Sequence, residues 1–459
     1  MIFRFLTAPL LALLVTGCTI NDVPADANDI GPAASGLAPP SELHRARIAG
    51  ILDDPRVKSA ISQFEQDRAR TLETMIALNE IPAPPFQEQA RAEAFAQRLR
   101  DLGLSDVSID GVGNVIAVRP GQPDGRRIAV VAHLDTVFPP GTDVKVRVDG
   151  DTYFAPGISD NTRALAVVLA VVEAMQAHDL QTRDEIVFVG SVGEEGLGNL
   201  RGVRHLLRGD HGIDSFIAVD GGAQDRLITS AVGSNRYRVT FHGPGGHSYG
   251  AFGRAHPHQA LARAITEFTA RAEPITQTDG AKATFSVGRI GGGTSINSIP
   301  FESWMEVDMR SVDPVKLEAL DAAFRDALAV ALETENARRK IAEAMTVEIE
   351  DVGKRPAGQG ARDSQLVLNA SAAMRALGVE PNLRASSTDA NIPIWLGVPA
   401  VTVSRGGISQ NAHSLDESWT DDGTVFGETY LLTLLLAEAG YMAAPEEAPA
   451  PTVTQNKSE

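Results

Sequence analysis

The sequence predicts an α/β fold: a mostly parallel, mixed sheet flanked by helices, with a smaller α+β domain inserted into it. Between about residues 45 and 230, helical and strand-like segments alternate, as they do in parallel sheets covered by helices. Several strand-like segments are continuous apolar runs, which is typical of strands buried on both faces. Residues 233–351 have a different order of strand-like and helical segments, and the first pattern resumes after them.

Four continuous apolar runs are the predicted buried strands of the main sheet. They cover residues 128–132, 186–192, 216–219 and 400–403. The last run lies far downstream, after a helix-like stretch over residues 364–377. The main domain is therefore predicted to consist of two pieces, residues 46–232 and 352–442.

The inserted block, residues 233–351, has the pattern of a strand, a helix, two strands, a second helix and a last strand. Its first strand, residues 237–241, alternates polar and apolar side chains, and its longest helical pattern runs from Pro314 to about Ala344. This order of elements makes a compact α+β unit. We expect it to fold as a separate domain.

Both ends of the chain are predicted to lie outside these domains. Residues 1–18 begin with a charged residue, continue with a short apolar segment and end with small residues, as export signals do. The apolar segment is too short to span a bilayer. Leu14 to Cys18 resembles a bacterial lipoprotein processing box, which implies lipid on the Cys18 sulfur; an ordinary signal with an incidental cysteine is the alternative. Residues 19–45 are predicted to be a flexible tether, and residues 443–459 a disordered tail.

Charge and cysteine content narrow the classes of partner. The 459-residue chain has a formal net charge of −18 and a sequence pI near 5.0, which argues against nucleic acid or an anionic membrane surface as a partner. Cys18 is the only cysteine, so we expect no disulfides, and membrane contact only through the lipid anchor. We expect an exported protein on the periplasmic face of the envelope. Thr19, rather than Asp, after Cys18 resembles lipoproteins sorted to the outer membrane.

Each predicted buried strand leads to residue types that bind metal ions. In open parallel sheets, ligand sites form at the carboxyl ends of the strands. The candidates in chain order are His133, Asp135, Asp160, Glu194, Glu195, Asp220 and His413. Taken alone, each has a plain structural role, and Asp160 could simply cap the apolar helix that follows it. Their convergence on one edge of one sheet predicts a metal site.

The ligand types indicate which metals the site would hold. Imidazole and carboxylate without thiolate suit zinc, or cobalt or manganese, in a hydrolytic role. The number of candidates indicates two ions, which Asp160 can bridge with its two oxygens. Asp135, two residues after His133 on an extended chain, can accept the other N–H of that imidazole. Glu194 and Glu195 cannot both be ligands from one geometry, so a base beside the bridging water is the other role to be filled.

Five segments carry these candidates: Ala132-His133-Leu134-Asp135-Thr136-Val137, Gly157-Ile158-Ser159-Asp160-Asn161, Gly193-Glu194-Glu195-Gly196, Val219-Asp220-Gly221 and Ala412-His413-Ser414. In this order they resemble the metal motifs of the aminoacylase, glutamate carboxypeptidase and tripeptidase family of di-zinc metallopeptidases, peptidase family M20. The resemblance covers about residues 60–440. It implies a zinc-exopeptidase-like catalytic domain that holds two Zn²⁺ ions.

The resemblance also implies a role for each ligand. One zinc would be bound by His133 and Asp220, the other by Glu195 and His413, and both by Asp160. Glu194 would be the general base. A cis peptide bond after the bridging aspartate, here between Asp160 and Asn161, is a further feature of the family.

The inserted block looks like that family's lid or dimerisation domain. Its Gly243–Ser248 stretch matches the one whose histidine stabilises the oxyanion, which implies that role for His247. Asn297 and Arg310 match positions that bind a substrate carboxylate in the carboxypeptidase members. The structural alternatives are a turn residue for Asn297 and a surface ion pair for Arg310. Family lids either pair two chains or work within one, so a homodimer through this domain is an open expectation.

The implied function is hydrolysis of a peptide or N-acyl amide bond in a small peptide or an acyl-amino acid. One alternative is a serine hydrolase, because Gly-His-Ser-Tyr-Gly around Ser248 fits the G-x-S-x-G pattern. A nucleophile elbow needs a helix directly after the serine, however, and here the helix is expected near Pro257. A metal-free scaffold of the same fold is the other alternative, although no ligand type is missing.

Overall fold

The computed structural model describes residues 39–209 and 212–443. The expected signal peptide and the Cys18 lipidation site lie outside these residues, as do most of the tether and nearly all of the tail. In the described part of the chain, no helix combines the length and the apolar composition needed to cross a bilayer.

The helices and strands of the described residues alternate through most of the chain. The helices are α1 (Glu42–Asp53), α2 (Pro55–Gln66), α3 (Arg68–Asn79), α4 (Gln89–Asp101), α5 (Arg163–Ala177), α6 (Arg201–Leu206), α7 (Pro257–Thr276), α8 (Pro314–Arg338), α9 (Gln365–Ala376), α10 (Asn391–Leu396) and α11 (Phe426–Glu438). The strands are β1 (Asp106–Ile109), β2 (Val115–Arg119), β3 (Arg127–His133), β4 (Arg147–Asp149), β5 (Thr152–Phe154), β6 (Glu185–Ser191), β7 (Ser215–Gly221), β8 (Arg226–Ala231), β9 (Gly233–His242), β10 (Gly246–His247), β11 (Ala283–Gly292), β12 (Ser298–Ile299), β13 (Glu302–Ser311), β14 (Thr346–Arg355), β15 (Gly358–Gln359), β16 (Asn382–Ser386), β17 (Ala400–Ser404), β18 (Ile408–Gln410) and β19 (Ser418–Thr420).

The main sheet has nine strands, in the order β1-β2-β6-β3-β7-β17-β8-β15, and β16 pairs with β8 beside this path. Its centre, β6-β3-β7-β17, is parallel throughout. Antiparallel pairs occur at β1-β2-β6 on one side and at β17-β8-β15 on the other. The predicted α/β class, a mostly parallel mixed sheet with flanking helices, is confirmed.

The central strand β3 shows why these segments are continuous apolar runs. Its side chains alternate between the two faces of the sheet. Val130 packs into the core on the α5 side, whereas Val131 packs into the core on the opposite face. Because helices cover both faces, both sets of side chains are buried. The polar residues of β3, Arg127 and His133, accordingly lie at its two ends.

The inserted segment forms a four-stranded antiparallel sheet of its own, in the order β11-β13-β9-β14. Along β9, Tyr237, Val239 and Phe241 are buried in a second core together with α7 and α8. Arg236 and Arg238 alternate with them and lie on the opposite, polar face. We call this unit the inserted domain.

Three predicted boundaries differ from the structure. Helix α8 ends at Arg338, whereas its pattern was expected to reach about Ala344. Helix α1 begins at Glu42, within the predicted tether, because the Ser41 side chain accepts a hydrogen bond from the backbone N–H of His44 and caps the helix. Strand β14 continues to Arg355, four residues beyond the predicted end of the inserted block at residue 351. Arg355 therefore ends a strand of the inserted domain.

A small sheet, β18-β19-β5-β4, brings the C-terminal part of the main domain next to the loop before α5. In the antiparallel pair of β19 with β5, Trp419 lies opposite Tyr153. This pairing holds the segment that contains His413 against the loop that contains Asp160. Two segments about 250 residues apart in sequence are thereby brought to the same edge of the main sheet.

Candidate metal centre

The first group of ligands forms where β3 and β7 end. His133 is the last residue of β3, and Asp220 lies near the end of β7. The His133 Nε2 atom lies 3.1 Å from Asp160 Oδ1 and 3.7 Å from Asp220 Oδ1. An imidazole and two carboxylates thus point at one small volume, which is the ligand set of a single zinc ion.

The second group forms on the other side of Asp160. The His413 Nε2 atom lies 2.7 Å from Glu195 Oε1 and 3.3 Å from Asp160 Oδ2. Asp160 therefore turns one oxygen to His133 and the other to His413. In each group the ligand atoms lie within 4.8 Å of one another. The residues present fit two metal ions bridged by the Asp160 carboxylate.

The mutual contacts of these ligands shift their protonation equilibria. Burial favours the neutral form of His133, but hydrogen bonds to Asp160 and Asp220 outweigh it and raise the His133 pKa well above its ordinary value. Hydrogen bonds to Asp160 and Glu195 raise the pKa of His413 to about 11. Burial and the nearby Glu194 charge raise the pKa of Glu195 to about 7. Negative charge is concentrated here, and the cluster attracts either protons or metal cations.

Asp135 makes contacts different from those expected. The His133 Nδ1 atom lies 3.0 Å from the Asp135 carbonyl oxygen but 3.7 Å from its carboxylate, so the carbonyl is the partner of the imidazole. The carboxylate instead accepts hydrogen bonds from the backbone N–H groups of Glu194, at 3.0 Å, and Glu195, at 2.8 Å. The buried carboxylate therefore binds two backbone donors from a separate loop instead of the His133 imidazole. Asp135 thus links both halves of the site.

Glu194 faces an arginine that the sequence pattern did not single out. Arg355 Nη1 donates to Glu194 Oε1 at 3.0 Å, and the other terminal nitrogen of Arg355 contacts the Glu194 carbonyl oxygen. Each side chain is only 5% exposed. Arg355 Nη1 also donates to Ser387 Oγ at 2.9 Å. The pair fixes the buried carboxylate of Glu194 beside the ligand cluster.

Glu417 supports the loop that carries Asp160, and sequence reasoning missed it. Its carboxylate accepts hydrogen bonds from the backbone N–H groups of Gly157, Ser159 and Asp160, at 2.9–3.0 Å, and from the Ser159 hydroxyl at 2.8 Å. Gly157 has a φ of +80°, and a Cβ there would lie 2.6 Å from Thr136 Cγ2. The only available signal was an acidic residue four positions after His413, at the start of a buried strand.

We expect Glu417→Gln to weaken metal binding by about 10- to 100-fold, the usual cost of losing support for a ligand. The amide can keep only one acceptor oxygen, and its NH₂ group would face backbone N–H donors. Isothermal titration of zinc into the metal-free protein measures this change. Asp416→Asn, a substitution at the exposed neighbouring residue, is the matched control, and equal affinity of both variants would contradict the role given to Glu417.

Arg405 is a second arginine at the ligand cluster that was not anticipated. Its Nη1 lies 3.2 Å from Asp220 Oδ1 and 3.2 Å from Asn161 Oδ1, and the side chain is almost fully buried. The peptide bond between Asp160 and Asn161 is cis, as the resemblance implied. Arg405 follows the buried strand β17, where the sequence showed only a glycine-rich loop. Its Nη1 approaches the same Asp220 oxygen, Oδ1, that lies nearest to His133.

The inserted domain contributes some, but not all, of the expected residues to the cleft beside this cluster. The cleft has a volume of about 320 Å³, and Arg310 and Arg236 line it together with Glu194 and Arg355. His247 and Asn297 are not among the lining residues. They lie next to each other instead, where β10 pairs with β12 and the Ser248 N–H donates to the Asn297 carbonyl oxygen at 2.9 Å. The roles implied for these two residues stay predictions.

The serine-hydrolase alternative is not supported by the surroundings of Ser248. The residues after it form a turn, and α7 begins only at Pro257. His247 Nδ1 accepts hydrogen bonds from the backbone N–H groups of Tyr249 and Gly250, at 3.2 and 3.3 Å, rather than from Ser248. The strand–serine–helix arrangement of a nucleophile elbow is therefore missing at Ser248 in the described structure.

Comparisons with known proteins place the chain in a family and support its fold. A family model described as Peptidase family M20/M25/M40 matches residues 129–437. The uncharacterized protein YqjE of Bacillus subtilis is 26% identical over 359 residues, which cover 73% of this chain and 90% of that protein. Aminopeptidase PepT from Bacillus cereus superposes with a TM-score of 0.65 at 21% identity, over 80% of this chain and 98% of that one. Bacillus subtilis YxeP, described as a dinuclear metal binding peptidase, gives a TM-score of 0.57 at 17% identity, over 82% and 99%.

Proposed function

The chain belongs to peptidase family M20/M25/M40, and from this premise we propose that it hydrolyses a peptide or N-acyl amide bond in a small substrate with the help of two zinc ions. The observation that carries the proposal is the position of Asp160, whose two carboxylate oxygens lie beside His133 and His413 respectively. A single structural ion would not require a shared carboxylate between two separate ligand groups. Cobalt or manganese could replace zinc in this ligand set.

Two bound zinc ions would polarise the scissile carbonyl group and acidify a water molecule held between them. His133 and Asp220 would hold one ion, Glu195 and His413 the other, and Asp160 both. Asp135 holds the His133 ring through its carbonyl oxygen and the backbone of Glu194 and Glu195 through its carboxylate. The ligands are therefore pre-arranged by contacts among residues of the chain itself.

Glu194 is the proposed general base. Glu194 lines the cleft next to the ligand cluster, and the two groups that share Asp160 contain three ligand residues each without it. It accepts the proton of the attacking water and then delivers that proton to the leaving nitrogen. Arg355 holds the carboxylate in place throughout, since it donates to Oε1 and leaves the second oxygen for the proton.

The inserted domain is the proposed source of substrate selection. Arg310 lines the cleft and would bind the carboxylate of a small peptide or an acyl-amino acid. His247 and Asn297 keep the oxyanion and carboxylate roles that the family resemblance implies, as proposals. Export and lipid attachment at Cys18 are likewise proposed from the sequence pattern alone.

A direct test uses the purified protein, stripped with a chelator and reloaded with zinc or manganese, against dipeptides, tripeptides and N-acetyl amino acids. We expect turnover to disappear with the metal and to return on reloading. Turnover that survives complete metal removal would contradict the proposal. Substoichiometric zinc after reloading, together with no hydrolysis across the panel, would favour the metal-free scaffold instead.

Removing the Arg355 charge should show whether this residue positions Glu194 or binds the substrate. We expect Arg355→Met to lower kcat by about 10- to 100-fold, because a misplaced base loses most of the benefit of proton transfer, with little change in metal content. Lys354→Met removes a charge from the exposed neighbouring side chain and should leave kcat unchanged. Steady-state kinetics of both variants provide the measurement. A higher KM with unaltered kcat in Arg355→Met would show that Arg355 binds substrate rather than positioning Glu194.

A further inference from the structure

The charges around the cleft indicate the class of substrate. We infer that the substrate carries two carboxylates, a terminal one and that of an acidic side chain; this inference rests on the proposed function. Arg236 binds one of the two carboxylates beside Arg310. Arg236 lies on β9 and Arg310 on β13, both on the polar face of the inserted domain, and both line the cleft. Arg310 alone would suffice for a substrate with a single carboxylate.

Asp308 arranges the two arginines as a pair. In the β9–β13 register Asp308 lies opposite Arg236, and Arg310 is two residues further along β13. Arg236 Nε donates to Asp308 Oδ1 at 2.9 Å, and Arg310 Nε donates to Asp308 Oδ2 at 2.8 Å. Diagonal neighbours of this kind are about 7–8 Å apart across the sheet. Two guanidinium groups that one aspartate holds side by side can each bind a carboxylate of one small molecule.

The terminal nitrogens of the pair are largely available to a ligand. Asp308 engages the Nε of each guanidinium, and in the described residues the terminal nitrogens of Arg310 have no hydrogen-bond partner. One terminal nitrogen of Arg236 reaches the carbonyl oxygen of Gly196 only at 3.4 Å. A bidentate carboxylate would satisfy these donors better than the protein does.

A second group of two arginines and one carboxylate lies further along the same face of the inserted domain, outside the cleft. Glu306 pairs with Arg238 at 2.7 Å and with Arg289 at 2.9 Å, but Arg289 is 67% exposed and neither arginine lines the cleft. Arg236 is only 20% exposed. Burial, followed by the charges of Arg355 and Arg310, lowers the pKa of Arg236. Water can screen the outer group, whereas the group at the cleft gains most from a bound anion.

The test compares substrates that differ in one charge. The zinc-loaded protein is assayed with dipeptides and N-acetyl dipeptides in which Glu replaces Gln at one position at a time. At one position we expect the Glu compound to show a kcat/KM about 10- to 100-fold higher than its Gln partner, as loss of a charged hydrogen bond predicts. Equal rates for the two compounds at every position would overturn the inference and leave the proposed function standing.

Two variants assign the preference to the cleft arginine. Arg236→Gln should bring the Glu and Gln compounds to near parity, mainly by slowing the Glu compound. Arg238→Gln, a matched change two residues along the same strand, should keep the full preference. A preference that survives in Arg236→Gln would overturn the assignment. If the metal-loaded protein hydrolysed none of the compounds, the proposed function would fail and the inference with it.

Discussion

Glu194→Gln is expected to lower kcat by about 100- to 10,000-fold, the range that general acid–base catalysis contributes, while both metal ions stay bound. The amide has nearly the shape of the carboxylate and can still accept a hydrogen bond from Arg355. It cannot take a proton from water, and so it removes the chemistry without removing the surrounding contacts. Because Glu194 completes neither bridged ligand group, the metal content should match that of the wild type.

The neighbouring residue provides the control for this prediction. Glu195→Gln removes a ligand that lies 2.7 Å from His413 Nε2, so it should lower metal content and activity together. Zinc per chain, measured by elemental analysis beside the rate, separates the two roles. A Glu194→Gln variant that retains near wild-type turnover with two zinc ions bound would show that another group takes the proton.

Asp160→Ala is expected to empty both metal positions and to reduce turnover to the level of the chelated protein. Each oxygen of Asp160 serves a different ligand group, so one substitution weakens both. We expect the zinc affinity at each position to fall by more than about 100-fold, since loss of a direct ligand costs more than loss of its support. Removal of the carboxylate also takes away a partner that raises the pKa of both imidazoles.

Comparison with Asp220→Ala tests whether Asp160 is shared. Asp220 approaches only the His133 group, so its removal should cost one zinc ion and leave the other. Zinc titrations of the two variants, under identical buffer conditions, therefore differ by about one equivalent per chain. Retention of two tightly bound ions in Asp160→Ala would contradict the bridging role.

The sequence was sufficient to predict the fold class and to nominate the residues at the ligand cluster. Buried parallel strands are continuous apolar runs, and the chemistry of such sheets lies just after them, so His133 and Asp220 could be recognised from position alone. Asp160 and His413 belong to loops but were nominated with them, and the motif resemblance then implied which ion each would bind. The α+β character of the inserted block followed from its alternating strands and long helices.

The residues that support the cluster could not be predicted, because their partners are distant in sequence. Glu417 meets the Asp160 loop through the β19–β5 pair, and Arg355 meets Glu194 across 161 residues. Neither contact leaves a local pattern. The contacts of Asp135 differed from the expectation. Alternation along a strand predicts the face on which a side chain lies, but it does not predict which hydrogen-bond donor that side chain contacts.

The inserted domain shows a similar limit of motif reasoning. Arg310 lines the cleft, whereas His247 and Asn297 lie beside each other away from it. A motif identifies a residue type and its neighbours along the chain, but the position of one domain against another depends on the connecting strands. Arg236 had no motif, and only the pairing of β9 with β13 placed it beside Arg310.

Anomalous diffraction from crystals of the zinc-loaded protein, collected on both sides of the zinc absorption edge, tests the central claim most directly. We predict two anomalous peaks in the cleft, one beside His133 and Asp220 and one beside Glu195 and His413, with the Asp160 carboxylate between them. The absence of peaks among these five side chains, or a single ion bound elsewhere in the molecule, would contradict a two-metal hydrolase.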